Sequence, residues 1–596
     1  MTIQKDYTRD AYFTQSGLQR LREGYMRDDE ESPQDRFAYI AQEFASDEKH
    51  AQRMYDYASQ FWMSFSSPIL SYGRTGRGLP ISCFASYLGD DLGQILETSN
   101  ELRMMTVVGG GTGLHVGLRP ADSRKSSGII PHLKTYDADM LAYKQGTTRR
   151  GATAAYLRVD HPEIIDFLNM RNPTGGDLNR KCLNLHHGVC LTDAFMERVL
   201  ALSDKERSYE EKEKLDRWEL VNPHTGEVQE EVSVRELWQR ILAARVETGE
   251  PYMWYIDTVN RALPDFQKKL GLQNHGGNLC AEISLATDKD RSFVCCLSPL
   301  NLAKWDEWKD NPRFVPDVVE FLDNVISRFI LDAKGVPELS RAVHSAFRER
   351  AIGIGAMGWH DLLQKKRIAF ESPMAVVLNK QIWRQIKTQA KEKTEELAGS
   401  RYPCPDAVQA GMDKPVRNSH LLAVAPTAST SYFLDTSPGC DPYLANAYNE
   451  KGVNGTVIHK NKELQKLLQE HGKDTYEVWS SIIANKGSVQ QLEFLTDDEK
   501  RVFKTAQEID QMWVVQHAAD RQEFICQAQS TNLFVRQNVS AKEMHLLHVA
   551  AWRMGLKSLY YCRSEPAATA DNVGEKVERV RIEDLIKGEE ICLACQ

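Results

Sequence analysis

His275-Gly276-Gly277-Asn278-Leu279-Cys280-Ala281-Glu282-Ile283 is the stretch on which the reading of this chain turns. It sets an amide, a thiol and a carboxylate at alternate positions. In an extended segment alternate side chains share one face, so Asn278, Cys280 and Glu282 are expected to point together into one pocket. His275 and the Gly276-Gly277 pair suit a loop better than a strand centre. By itself the stretch reads as a surface loop around one buried cysteine that acts as a small hydrophobe. Its neighbours give it a second reading, a reactive thiol flanked by a base and a hydrogen-bonding amide, and the rest of the chain bears on the choice.

The chain has 596 residues, 12 cysteines and a formal net charge of −9 spread along its length. Such a length fits several ordinary domains or one large catalytic domain with attachments. There is no basic stripe of the nucleic-acid-binding kind, and no apolar run approaches the roughly 18 residues of a membrane span. The opening residues MTIQKDYTRDAYFTQSGL lack the apolar core and small-residue cleavage site of a signal peptide. The cysteines are too sparse for a secreted disulfide scaffold and read as thiols of a reducing compartment, a few of them redox-active. A cytoplasmic protein is expected, without nucleic acid or membrane partners.

Residues 1–60 carry apolar residues at helical spacing (Leu18 and Leu21; Phe37, Ile40 and Phe44; Met54, Tyr55 and Ala58) and read as a helical N-terminal region. From 61 to 563 short apolar runs alternate with helical stretches, an α/β pattern. Ser66-Ser67-Pro68-Ile69-Leu70 is followed by a β-like run, Pro80 to Leu88, that holds Ser82 and Cys83. The glycines of Val108-Gly109-Gly110-Gly111-Thr112-Gly113-Leu114 serve either to close a tight loop or to bare N–H groups for a phosphate or sugar. Arg171 to Lys181 is polar, contains Gly and Pro, and reads as a loop of the kind that carries function. Two charged stretches, about 193–260 and 447–510, read as helical insertions with solvated faces.

Phe293 to Leu302 holds adjacent thiols, Cys295 and Cys296, which a strand turns to opposite faces. The apolar run Leu421–Ala425 ends in Pro426-Thr427-Ala428-Ser429-Thr430-Ser431. That turn offers N–H and O–H donors at a helix start, or is a cap with spare hydroxyls. Ser540 to Glu543 is a capping-box sequence whose helix should stop at Gly555, ahead of a short strand with Tyr560 and Tyr561. Residues 564–596 are small, polar and charged and read as a flexible redox tail. The tail ends in Cys592-Leu593-Ala594-Cys595-Gln596, a pair better suited to thiol exchange than to zinc, which takes four ligands.

In this order, over residues 66 to 596, the motifs resemble those of the ribonucleotide reductase large (catalytic) subunit, with Asn-Leu-Cys-x-Glu-Ile as its finger loop and Cys-x-Leu-Ser-x-x-Asn-Leu as its second redox-cysteine segment. The resemblance implies a ten-stranded α/β barrel of two five-stranded halves with the Cys280 loop threaded through its middle. It implies a thiyl radical on Cys280, a base in Glu282, a sugar-holding amide in Asn278, and a redox pair in Cys83 and Cys295. Substrate contacts would come from Ser67, Ser82, Gly110, Gly111, Pro426, Thr427, Ala428, Ser429 and Thr430. Effector contacts, for a dNTP or ATP, would come from Asp90, Arg119, Arg171, Asn179 and Arg180.

Tyr560 and Tyr561 match the radical relay of class I enzymes. The radical would then come from the metal cofactor of a small partner subunit, with no cofactor held tightly on this chain. Cys592 and Cys595 would be reduced by thioredoxin or glutaredoxin, the substrates would be ribonucleoside diphosphates, and the assembly a homodimer. The run before the first core motif is too short for the regulatory cone of longer relatives, so a short form without the ATP cone is expected. Four rivals stand beside this reading, one of them a glycyl-radical enzyme, which would need a glycine-centred radical loop that the C-terminal region lacks. An adenosylcobalamin-dependent reductase would need no tyrosine pair. A non-catalytic nucleotide-binding regulator would not need Cys280 and Glu282. A plain dithiol oxidoreductase would leave Cys83, Cys280 and Cys295 unexplained.

Overall fold

The computed structural model describes residues 3–76, 78–122, 126–145, 149–452, 455–536 and 538–564. After a short 3-10 turn, the N-terminal region forms helices Gln15–Gly24, Pro33–Phe44 and Glu48–Ser59. The second starts where its sequence dictates: Ser32 and Asp35 make a reciprocal capping box and Pro33 occupies the first turn. Phe37, Ile40, Phe44, Met54 and Tyr55 are buried, and Phe44 meets Phe321 of the long helix Phe314–Ala333 at 5.7 Å between ring centroids. The region is therefore fastened to the rest of the chain by its apolar faces.

The body is a closed ring. Strands Cys83–Leu88, Gly111–Val116, Thr153–Arg158, His186–Leu191 and Tyr252–Tyr255 pair in that order, all parallel. Helices run between the first four and between the last two, because a parallel neighbour needs a long crossover. A second parallel set begins with Phe293–Asn301 and Ile352–Met357. It continues through bridges from Ile354 to Leu422 and from Val424 to Gln529, and ends with Leu533–Val535 beside Cys562–Ser564. The two sets meet antiparallel twice, at Cys83 against Cys295 and at Ser558 against Trp254. Five segments in each set and two antiparallel seams make the ten-stranded barrel.

The loop before Phe293 passes through this ring and touches both sets. The Gly277 carbonyl accepts from His115 Nε2 at 2.9 Å on one side, and the Glu282 carbonyl accepts from Ala528 N–H at 2.9 Å on the other. A β-carbon on Gly113 would stand 2.1 Å from the Gly277 carbonyl oxygen, so the glycine there lets the two backbones pass.

The two stretches read as helical insertions contain strands: the first includes Tyr252–Tyr255, a strand of the barrel itself, and each holds a hairpin. Trp218–Val221 pairs with Val228–Val232, turned by Asn222, whose side chain accepts from His224 and Thr225 N–H, and by Gly226 at φ 72°. Ala447–Gly452 pairs with Gly455–Lys460 ahead of three helices. In both places the density of charge hid the turn chemistry. The cap at Ser540 is present, accepting from Glu543 N–H at 3.1 Å, and the helix it starts, Ala541–Arg553, is followed by Gly555 at φ 81°.

Candidate active site

Asn278, Cys280 and Glu282 do converge, but not as alternate residues of an extended segment. The chain folds on itself: Ala281 takes φ 61° and its N–H reaches the Asn278 carbonyl at 3.3 Å. Asn278 Oδ1 accepts from the N–H groups of Glu282 (3.0 Å) and Ile283 (3.1 Å), while its Nδ2 donates to Glu282 Oε1 at 2.9 Å. The expected period-two geometry is thus corrected. One amide closes a turn with both of its ends and brings the carboxylate over the thiol's backbone.

Ser530 Oγ lies 2.6 Å from the Cys280 carbonyl and 3.1 Å from Glu282 Oε2. Ser558 Oγ donates to the Ala281 carbonyl at 2.8 Å, and Tyr156 donates its hydroxyl to the Asn278 carbonyl at 2.7 Å. Burial pushes the His115 imidazole down to about 3, so the ring is neutral. Its Nε2–H faces Gly277 and its Nδ1 accepts from Thr287 Oγ1 at 2.7 Å.

Cys83 stands directly across the antiparallel seam from Cys295, and its thiol donates to Glu282 Oε1 at 3.4 Å. Cys83, Cys280 and Cys295 are fully buried in one inner cluster. Gln527 Nε2 reaches Cys295 Sγ at 3.7 Å. Cys296 points the other way, into the outer core against the Leu322 carbonyl at 3.5 Å. Burial pushes the Cys295 thiol well above its ordinary range, with like-charge repulsion from Cys296 and Cys83 adding to it, so this sulfur rests protonated. Burial, ahead of repulsion from Cys280, lifts the Glu282 carboxyl to about 8.

Of the residues expected to meet a diphosphate, Ser67 is at the first position of the one-turn helix Ser67–Leu70, buried, with its hydroxyl 3.1 Å from Tyr25 Oη. Tyr25 also packs on Phe433 at 5.9 Å, the last residue of helix Ala428–Phe433. Ser67 and the helix that starts in the 426–430 turn therefore share a neighbour although they lie far apart in sequence. Thr427 caps that helix in position only; its hydroxyl instead accepts from Gly439 N–H at 2.7 Å. Ser82 and Ser429 are buried, and Gly111 N–H donates to the Ser82 carbonyl at 2.9 Å. Gly110 has a packing reason as well, since a β-carbon there would meet the Phe84 ring at 2.3 Å. Pro426 and Thr427 also line a pocket with Asp441, Arg521, Tyr560 and Arg563.

Tyr560 and Tyr561 are adjacent rings, 4.2 Å between centroids, in the inner cluster that holds Cys280. Tyr252 meets them at 4.7 and 5.2 Å. At the far ends of the first strands Asp90 and Arg119 form an ion pair, and Asp90 also accepts from Arg119 N–H at 2.8 Å. Asn179 and Arg180 are exposed in the short 3-10 turn Leu178–Arg180, where Arg180 reaches Asp166 at 2.6 Å. Arg171 instead turns inward to Glu250 at 3.4 Å. Cys592 and Cys595 lie outside the described residues.

Ser530, Ser558, Gln527, Tyr156 and His115 line this site unannounced by the sequence. Each sits in a strand or connecting segment far from residues 275–283 in sequence, and only the ring's closure brings them to the finger loop.

Residues 11–78 match the family description "Ribonucleotide reductase, all-alpha domain", and residues 81–407 and 405–562 match "Ribonucleotide reductase, barrel domain". The chain is similar to the ribonucleoside-diphosphate reductase large subunit of Invertebrate iridescent virus 3, with 46% identity over 95% of this chain and 96% of that one. The corresponding large subunit of Danio rerio is 31% identical, over 86% of this chain and 70% of the relative. Among solved structures it resembles the Actinobacillus ureae class Id ribonucleotide reductase alpha subunit, with a TM-score of 0.82, 35% identity, and coverage of 95% and 99%.

Proposed function

The chain belongs to the ribonucleotide reductase large-subunit family, and from that premise we propose that it catalyses reduction of ribonucleoside diphosphates at the ribose 2′ carbon. The observation that carries the reading is the sealed inner cluster in which Cys83 faces Cys295 across a seam while its thiol bonds Glu282 beside Cys280.

The steps follow from these atoms. A one-electron oxidant on a small partner subunit oxidises Tyr561, then Tyr560, then Cys280, leaving a thiyl. The thiyl takes the ribose 3′ hydrogen and becomes a thiol again. Glu282, whose carboxyl is lifted to about 8 by burial, takes the 3′ hydroxyl proton in its ionised form. The 2′ hydroxyl leaves as water with a proton from the Cys83/Cys295 pair. The pair supplies two electrons, becoming a disulfide, and its second hydrogen goes to the 2′ carbon. Glu282 gives its proton back to the 3′ oxygen, and Cys280 returns its hydrogen to the 3′ carbon, which restores the thiyl. Asn278, already donating to Glu282, holds carboxylate and sugar in register. The chamber excludes water, which protects the thiyl.

Ser67, Ser82, Gly110, Gly111 and the Pro426, Thr427, Ala428, Ser429, Thr430 turn bind the diphosphate. Asp90, Arg119, Asn179 and Arg180 belong to a dNTP or ATP effector site. Cys592 and Cys595 reduce the disulfide by exchange and are reduced in turn by thioredoxin or glutaredoxin. The working assembly is a homodimer with the small subunit, in the cytoplasm. The test is nucleoside diphosphate reduction with a class I small subunit. Cys280→Ser should abolish deoxynucleotide formation while substrate still binds, and retained turnover would refute the radical role.

A further inference from the structure

A buried charged cluster beside Tyr561 takes part in none of these steps. Glu250 is 1% exposed and accepts from His187 twice, from Nδ1 at 3.0 Å and from the backbone N–H at 3.1 Å. It also accepts from His186 Nδ1, and the Arg171 guanidinium closes the cluster at 3.4 Å. The Tyr561 hydroxyl lies 3.4 Å from the same His186 Nδ1. The His186 ring runs parallel to Tyr252, at 6.2 Å and 8°, and Tyr252 in turn contacts both relay tyrosines.

Placing a carboxylate, a guanidinium and two imidazoles against an aromatic stack costs free energy that a well-packed aliphatic group would not. Burial alone would raise the Glu250 carboxyl; Arg171 and the two histidines outweigh it and hold the group well below the usual carboxylate range. Glu250 is therefore a fixed acceptor, and His186 Nδ1 carries the proton that faces it. That N–H is held at one orientation, and the Tyr561 oxygen is beside it.

We propose that Glu250 and His186 are positioning residues of the radical relay, fixing the Tyr561 phenol against Tyr560, with Arg171 as the counter-charge that keeps the pair rigid. The inference rests on the relay reading above. Tyr561 forms part of the barrel wall, with Arg563 over its ring at 5.4 Å, and transfer to Tyr560 depends on the two rings keeping one geometry.

The experiment uses the full chain with a class I small subunit, nucleoside diphosphate and dNTP. 3-Aminotyrosine placed at position 561 lets its radical be counted by electron paramagnetic resonance. Glu250→Gln and His186→Gln should each lower kcat by about tenfold or more, leave KM and dNTP affinity within about twofold, and lower the radical yield at 561 in proportion. Glu250→Asp should restore part of both signals. The proposal is overturned if kcat of both variants stays within about twofold of the parent, if the radical at 561 forms in full while turnover falls, or if substrate binding falls in parallel with kcat. Tyr561→Phe separates the two readings. Full turnover in that variant removes the relay and this inference together, whereas an inactive Tyr561→Phe beside a normal Glu250→Gln removes this inference alone.

Discussion

Glu282 is held by an amide, a thiol and a hydroxyl rather than by a cation, and burial lifts its carboxyl from 4.5 to about 8. Between those values the folded chain binds a proton that the unfolded chain has lost, so this group's contribution to stability falls as pH rises through the window. Glu282→Gln should therefore gain in Tm relative to the parent between pH 5 and pH 8.5, read by thermal denaturation. Its turnover should fall by about a hundredfold or more, the usual worth of a positioned base. In the parent, kcat/KM should climb with pH toward the upper value, because only the ionised carboxylate accepts the 3′ hydroxyl proton. A flat profile would remove Glu282 from that role. The neighbouring sulfurs make a second pair of expectations. Cys295→Ser should end turnover, while Cys296→Ser, whose side chain faces the Leu322 carbonyl in the outer core, should keep most of it in the same assay. Sequence made two adjacent thiols visible and strand alternation separated their faces; which of them faces Cys83 was readable only from the resemblance, because register across a seam joins residues 83 and 295.

The finger loop is the element on which the site depends, and its sequence was more legible than its shape. Asn278, Cys280 and Glu282 announced themselves by residue type, yet their convergence comes from a turn with Ala281 at φ 61°, which no spacing rule encodes. The loop's passage through the ring is likewise recorded on other elements. Gly113 belongs to a run that reads either as a tight loop or as a phosphate cradle, but the space a β-carbon would need is filled by the Gly277 carbonyl at 2.1 Å. Gly113→Ala must push backbone against backbone, so it should cost about 3 kcal/mol, the upper part of the range for overpacking. Denaturant melts should show the loss. Deoxynucleotide formation should fall as well, because the loop can retreat only by moving Asn278 and the carboxylate it orients. A variant with unchanged stability and rate would mean that the loop does not pass so close to Gly113. The strand segments around Leu422–Val424 and Gln529 were not legible as strands because they are short and pair through single bridges.

At the scale of the whole molecule, the ring that makes the chemistry possible also isolates it. The halves close through residues far apart in sequence, Cys83 with Cys295 and Trp254 with Ser558. Such pairings are invisible to periodicity, which could recognise α/β alternation but not ten strands. Closure leaves Cys83 and Cys295 with no exposed surface, so a folded protein reductant has no route to a disulfide formed between them. A small thiol can enter as the substrate does; a protein of thioredoxin's size needs an intermediary. In the cycle proposed above that intermediary is the stretch carrying Cys592 and Cys595; about 27 residues, the number between Pro566 and Cys592, would span roughly 30 Å as a coil and roughly 90 Å if extended. Cys592→Ser combined with Cys595→Ser should then abolish multiple turnovers driven by thioredoxin, while a single turnover from the pre-reduced enzyme and continuous turnover driven by dithiothreitol both persist. Loss of the dithiothreitol-driven reaction would point to damage in the chamber rather than in delivery. Undiminished thioredoxin-driven turnover would mean that the buried pair is reached by another path, and the terminal cysteines would have no part in the cycle.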